Sequence, residues 1–385
     1  MENTGNPDGE YAISSGRQFR RFALAVALLG VVLQFALSTY YLGVGHAPRP
    51  RDVPVGVIGS AQQRQSVVAL IEKQGGFSIT GYDSVQALAA AVGTRQSLGG
   101  LDVTGTTPHL YLSMAAGPTA ANYMRAAFTT VIQQQVQARV TQLVQAGQPV
   151  PTATVSALTT PPDVTDLTPL PSNDKYGSSL GFLVQALALG GTIASAGLGV
   201  LVPKTRRSAM RGLNHLVVLV IYAAGSAAAV EISMKLFGIG GETNGLALYS
   251  EFFLVSLAIT GSIAACVALI GQPGMGIGLI YFGVGTVISG ASIPSEFLPD
   301  FARIVGQGLP TGAGARAVRD SLYFPAAWNS GPILILTAYA VVGCLVLLLT
   351  NIQANPGDRT SELQSVLPYN ATLVHSTAQP TPGAD

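Results

Sequence analysis

Residues 252–294 read FFLVSLAITGSIAACVALIGQPGMGIGLIYFGVGTVISGASIP, and no Asp, Glu, Lys or Arg interrupts them. A helix that crosses roughly 30 Å of hydrocarbon needs about 20 mostly apolar residues. The run is long enough for two such helices, and Gly271-Gln272-Pro273-Gly274 breaks it in the middle. Working outward, charge-free gaps recur from Phe22 to His46, Tyr176 to Pro203, Gly212 to Val230 and Ser321 to Gly357. Together they predict a polytopic α-helical membrane protein with six transmembrane helices, at about 22–44, 180–202, 214–236, 248–270, 274–292 and 331–352.

Composition agrees. Charged residues make up 10% of the 385 and hydrophobic residues 48%, with a mean hydropathy of +0.43. Soluble domains carry about 25% charged residues, so an ordinary soluble enzyme is excluded. Disorder over most of the chain is excluded too, because it needs few apolar residues and many charges. The net charge of +1 argues against nucleic acid as a partner. Both cysteines, Cys266 and Cys344, fall inside predicted helices, so no disulfide staples the fold.

The first apolar run is longer than a signal-peptide core and ends in Thr39-Tyr40-Tyr41, an interfacial anchor. It reads as an uncleaved helix. Arg17, Arg20 and Arg21 precede it, and Lys204, Arg206, Arg207 and Arg211 follow the second helix, which places both segments inside by the positive-inside rule. Residues 46–178 are then outside. An even number of spans returns the tail, 353–385, to the inside, where its polar composition predicts disorder. Arg303, Arg316 and Arg319 lie on the outer segment 293–330, where Glu296, Asp300 and Asp320 are expected to pair with them.

The outer region predicts a small α/β domain. Strands are expected at 53–58, 77–82 and 110–115, and helices at 63–73, from Asp83 or Ser84 onward, and at about 118–146. Gly99-Gly100 and Gly105 read as loop, and the Thr/Pro-rich stretch 149–171 reads as an extended strap with little structure of its own. Gln133, Gln134, Gln135, Gln137, Gln142 and Gln145 make the long helix polar but almost uncharged, a solvated face or a partner contact.

Motifs for chemistry are missing. There is no Gly-x-x-x-x-Gly-Lys-Ser/Thr phosphate loop, so the chain does not hydrolyse ATP by itself. His46, His109, His215 and His375 have no metal spacing. No catalytic constellation, metal site or cofactor is expected. Glu231 and Lys235, four apart near the outer end of the third helix, can pair, and Glu251 opens the fourth. Ionisable groups at membrane depth are costly and often functional. The blander reading places all three at the wet interface, with Lys235 snorkelling. Small residues, including Gly190, Gly191, Gly197 and Gly199, and Gly274, Gly276, Gly278, Gly283 and Gly285, permit close helix packing.

The most specific stretch is residues 293–324, IPSEFLPDFARIVGQGLPTGAGARAVRDSLYF. Ser295 can cap a short helix at 296–306 whose Phe297, Leu298, Phe301, Ile304 and Val305 form an apolar face. Pro310 stops it, and a second short helix follows at about 314–323. This pattern resembles the ABC-2 type transporter permeases. Pro294, Leu298-Pro299, Leu309-Pro310 and Arg319 match their signature on re-entrant outer helices before the last span. The layout of one span, an outer domain and five spans is similar to the YhgE/phage-infection-protein branch.

That resemblance implies a dimeric permease, homo- or heteromeric, in a bacterial plasma membrane, driven by a separate cytoplasmic nucleotide-binding ATPase. It also implies that residues 11–21 and the 203–213 loop, with Lys204, Arg206, Arg207 and Arg211, contact the ATPase. Two functions stand open: an exporter of lipid-like or drug-like amphiphiles, and a membrane-anchored cell-envelope scaffold acting through its outer domain. A secondary transporter using Glu231 is a weaker third.

Overall fold

The fold is taken from a computed structural model that describes residues 7–105, 108–157, 161–201, 209–241 and 243–352. The inner-loop residues Lys204, Arg206 and Arg207 and the tail 353–385 lie outside the described residues. So do the side chains of 7–19 and of Arg211.

The α/β domain is built on a five-stranded mixed sheet: β1 (Val53–Ile58), β2 (Phe77–Tyr82), β3 (Gly99–Asp102), β4 (His109–Leu112) and β5 (Asp163–Asp166), in spatial order β2-β1-β3-β4-β5. The β3–β4 pair is antiparallel and the others are parallel. Strand alternation sends Val53, Val55 and Val57 to one face, where Val67 and Ile71 of α2 (Ala61–Gln74) and Met124, Phe128 and Val131 of α4 (Pro118–Gln145) cover them. Ile58 goes to the other face, against Leu88 and Val92 of α3 (Val85–Gly93). Ser60 and Gln63 close a capping box on α2, and Ser84 caps α3.

Two strands depart from the sequence reading. Gly99-Gly100 is strand, not loop: β3 is a central strand, and a Cβ on Gly100 would run into the Gly56 carbonyl and Leu88. Glycine here serves close packing rather than a turn. Within the strap, β5 pairs with β4, and the short helix α5 (Thr152–Ser156) precedes it.

Beyond the domain the chain is helical: α1 (Pro7–Gly45), α6 (Ser179–Leu201), α7 (Ala209–Leu236), α8 (Gly245–Ile270) and α12 (Ser330–Ile352). Each of these five contains a stretch long and apolar enough to cross a membrane, so the chain is a helical, membrane-embedded protein. Contacts give their directions. Gly181 of α6 lies at Ser292, and Gly45 of α1 lies at Ile293, both at the end next to the α/β domain. Gly212, opening α7, meets Asn351, closing α12, at the far end. Thus α6, α8 and α12 run away from the domain, and α1 and α7 run toward it.

α8 is the axis of the bundle; half of its apolar window is buried, against none of α1's. Its Ser and Thr hydroxyls turn back on its own carbonyls, Thr260 to Ser256 at 2.8 Å and Ser262 to Ala258 at 2.7 Å. These two hydroxyls are thereby satisfied within the helix's own backbone.

The expected helix 274–292 is not one regular span. Residues 272–275 form a 3₁₀ turn, α9 (Gly276–Ile280) is barely one turn, and Tyr281–Gly285 widen into a π turn. The cause is packing. A Cβ on Gly274 would strike the Cys266 backbone, one on Gly278 Thr192, and one on Gly285 the Thr311 hydroxyl. The glycine strip threads between α6, α8 and the next segment, and the π turn points the Tyr281 hydroxyl at Ser262, 3.1 Å away. The strip runs toward the domain, beside Tyr40, whose hydroxyl donates to the Val284 carbonyl at 3.0 Å.

The 293–330 segment then folds into a hairpin of α10 (Asp300–Gly308) and α11 (Pro310–Tyr323). Pro299, not Ser295, precedes α10, and Ser295–Phe297 are a separate 3₁₀ turn. Pro310 does not merely stop α10; it opens α11 at the position where a missing N–H costs nothing. The expected apolar face is divided. Phe297 and Leu298 are buried, while Phe301 and Ile304 are exposed on the outer side of α10.

The α8–α12 contact gives a direct test. A Cβ on Gly343 would stand 2.5 Å from the Gly261 carbonyl carbon. Gly343→Leu is expected to push the helices apart at a cost of about 1–3 kcal/mol and lower the melting temperature in detergent. Gly30→Leu on α1, where nothing lies within 4 Å, should leave it unchanged.

Candidate functional site

The hairpin enters and leaves from the domain end but reaches into the bundle. Gly314 of α11 packs on Val255 of α8, and Gly285 packs on Thr311. Val255 is about 15 Å along α8 from Gly245, at 1.5 Å per residue. That is roughly half the thickness of a hydrocarbon layer. Glycines make the approach possible: a Cβ on Gly306 would clash with the Ile288 carbonyl, and one on Gly312 with the Gly306 carbonyl.

Arg319 holds the hairpin down. Its guanidinium is buried and donates to the Gly290 carbonyl at 2.8 Å and the Ala291 carbonyl at 2.7 Å. Those carbonyls belong to the turn that ends the glycine strip, with Gly290 in the left-handed region at φ 82°.

The other signature residues gather around this anchor. Leu298 packs with Val44, Ile288 and Ala302, and Leu309 lies between that cluster and the main one. Pro310 is buried at the hairpin tip. Pro294 fills the space that a Cβ on Gly117, at the start of α4, would occupy. Pro299 makes the bend into α10. Arg316 stands apart, exposed on α11.

The expected local pairing holds only for Arg303, 3.2 Å from Asp300. Asp320 instead pairs with Arg95 of the α/β domain, at 2.5 Å, with both side chains largely buried. Arg95 follows α3 in the left-handed conformation, φ 58°, a place where glycine is usual. Its guanidinium also covers the Phe324 ring, 5.6 Å from the centroid. Phe324 and Phe297 are buried in the same core as the sheet and α4, and Arg51 donates to the Phe297 carbonyl at 3.2 Å. Domain and hairpin therefore share one core and one ion pair.

Of the intramembrane charges, Glu231 and Lys235 pair at 2.7 Å as expected, with Lys235 exposed. Glu251 does not join them and is not wet. It is 8% exposed and accepts from the Ser321 hydroxyl at 2.5 Å. Its other oxygen is buried without a partner among the described residues. No group of three or more His, Cys, Asp or Glu among the described residues could hold a metal ion.

Beside this cluster lies a cavity of about 420 Å³, lined by Thr243, Asn244, Asp320, Ser321, Phe324 and Trp328 among others. A second, of about 530 Å³, shares Thr243 and Leu322 with it and extends under the strap to Pro169–Ser172. No protein-family model, curated protein or solved structure matches the chain.

Substitutions at Arg319, Arg95 and Asp320 test the anchor and the lock. Arg319→Met leaves two buried carbonyls unpaired and is expected to cost about 3 kcal/mol or more. Arg319→Lys should recover only part of this, because an ammonium lacks the planar fork. Arg95→Ala and Asp320→Ala should each cost about 3 kcal/mol, and the Arg95→Met/Asp320→Leu double variant less than their sum. Denaturant unfolding followed by Trp328 fluorescence measures all of them.

Proposed function

We propose that the chain is the permease subunit of an ABC-2 type exporter that moves a lipid-like or amphiphilic, drug-like substrate outward, powered by a separate ATPase subunit. In this reading the α/β domain lies outside, both termini lie inside the plasma membrane, and the chain works as a homodimer or with a similar permease.

The observation that carries the reading is the hairpin anchored by Arg319. A paired-helix element that dips about halfway into an apolar bundle and returns is costly for a protein that only needs an anchor. Its backbone at that depth must be satisfied by protein or by a water-filled cavity. The glycine strip supports six crossings rather than five. It takes the chain from the far end of α8 back to the domain end, so that α12 can run away from the domain again. At about 1.5 Å per residue, residues 272–288 cover about 25 Å, enough for a locally thinned or shielded crossing. With six crossings, both termini share one side, the side of Arg206 and Arg207.

The scaffold reading draws on the exposed Gln133, Gln134, Gln137, Gln142 and Gln145 of α4. The shared core of domain and hairpin favours a domain that moves with the membrane element rather than one that only recruits partners.

The test is co-purification. The full chain expressed with a candidate nucleotide-binding subunit is expected to yield a stable complex with ATPase activity. Arg206→Glu/Arg207→Glu should abolish that complex while leaving membrane insertion intact. An undiminished complex in the reversed variant would remove the coupling role of this loop, and absence of any complex would favour the scaffold.

A further inference from the structure

The cavity of about 420 Å³ at the domain ends of α8 and α11 has an unusual hydrogen-bonding character. The Thr243 hydroxyl spends its proton on the Gly240 carbonyl at 2.6 Å. The Ser321 hydroxyl spends its proton on Glu251 at 2.5 Å. Each hydroxyl oxygen therefore offers only lone pairs to a further partner. Asp320 contributes a carboxylate to the lining, and its counter-ion Arg95 comes from outside the cavity. Behind Ser321, the buried second oxygen of Glu251 has no partner among the described residues. The side-chain donors among the described lining residues are the Trp328 indole N–H at the rim and the Asn244 nitrogen, whose amide oxygen caps α8 through the Leu246 and Ala247 amides. Phe324 and the 70% exposed Trp328 supply an aromatic wall and rim.

A wall of three acceptors beside one aromatic rim fits a group with several N–H donors and a positive charge. We propose that this cavity is the headgroup site for an amphiphile carrying a primary ammonium group. The three ammonium N–H donors meet Asp320, Thr243 and Ser321, and the alkyl chain leaves past Ala247 and Trp328 along the outer surface of the helices. The inference deepens the permease reading by naming its cargo class and depends on that reading only for the step of transport. Binding stands without it.

Trp328 is the single tryptophan of the chain and reports directly. The full-length protein in phosphatidylcholine nanodiscs is titrated with dodecylamine and with dodecyltrimethylammonium. Both are cationic and partition into the bilayer, but only the first donates hydrogen bonds. A saturable change in Trp328 emission with dodecylamine is expected, at least tenfold weaker with the trimethyl compound. Thr243→Val and Ser321→Ala should each weaken dodecylamine binding by about tenfold, the loss of one hydrogen bond to a charged group.

Nanodiscs containing phosphatidylethanolamine separate two sources of the same chemistry. A Trp328 change without added amine identifies a membrane lipid; a change only with dodecylamine identifies a soluble amphiphile; either supports the site. Equal responses to the two dodecyl cations, or dodecylamine binding untouched by both variants, would overturn it. If Ser321→Ala does not fold, the comparison of the two cations on the unaltered protein still decides. Loss of amine binding in a protein that still holds its ATPase sinks this inference alone. Amine binding by a protein that recruits no ATPase sinks the permease reading alone.

Discussion

Two hydrogen bonds from the Arg319 guanidinium, to the carbonyls of Gly290 and Ala291, join the hairpin to the end of the glycine strip. An irregular chain inside an apolar bundle has no water to satisfy its backbone, and each orphaned carbonyl costs several kcal/mol. The strip ends in a left-handed glycine, Gly290, whose carbonyl and that of Ala291 accept from Arg319. A planar fork with several donors suits that place, and an ammonium does not. With the strip closed this way, α10 and α11 can lie against it, Gly306 on Ile288 and Gly285 on Thr311. α6, α7 and α12 pack around that pair through α8, and α1 meets the strip at Tyr40.

The same hairpin is tied upward. Phe297 and Phe324 are its entry and exit, and both are buried in the core that the sheet forms with α2 and α4. The Arg95–Asp320 pair fixes the exit a second time. The α/β domain and the hairpin cannot separate without exposing two aromatic rings and breaking a largely buried ion pair. Domain and hairpin are therefore joined through one core and one ion pair. A partner that grips the domain would in turn bias the hairpin. The cavities beside Asp320 lie along that joint.

Much of this was legible in the residues, and the failures have physical causes. Charge-free runs located the five long helices because lipid-compatible length and composition are strict requirements. The same criterion misread 274–292: glycine satisfies an apolar window, but here its lack of a side chain lets the chain depart from an α-helix. The glycine rule misled in the opposite direction at Gly99-Gly100, where strand packing and not a turn required it. β5 was hidden because Thr and Pro in a strap carry no periodic signal, and its pairing is set by β4.

At the site, Pro294, Leu298, Pro299, Leu309, Pro310 and Arg319 were found by pattern. Arg95 was not. It stands 225 residues from its partner Asp320, in a post-helical position that ordinarily predicts glycine. The cavity is lined from two separate stretches, 243–247 and 320–328, and no linear motif marks such a convergence.

The central claim is that the α10–α11 hairpin lies within the membrane rather than on its surface. A nitroxide at Gly308→Cys reports on this, with Cys266 and Cys344 replaced by alanine; Gly308 is exposed, and an added Cβ there meets nothing within 4 Å. Gly308 continues the exposed stripe of Phe301 and Ile304. In nanodiscs the label is predicted to be relaxed strongly by oxygen and weakly by a water-soluble nickel chelate, with a depth well below the lipid phosphates. Strong relaxation by nickel, equal to that of a label at Gln145 on the α/β domain, would place the hairpin in water and contradict the account.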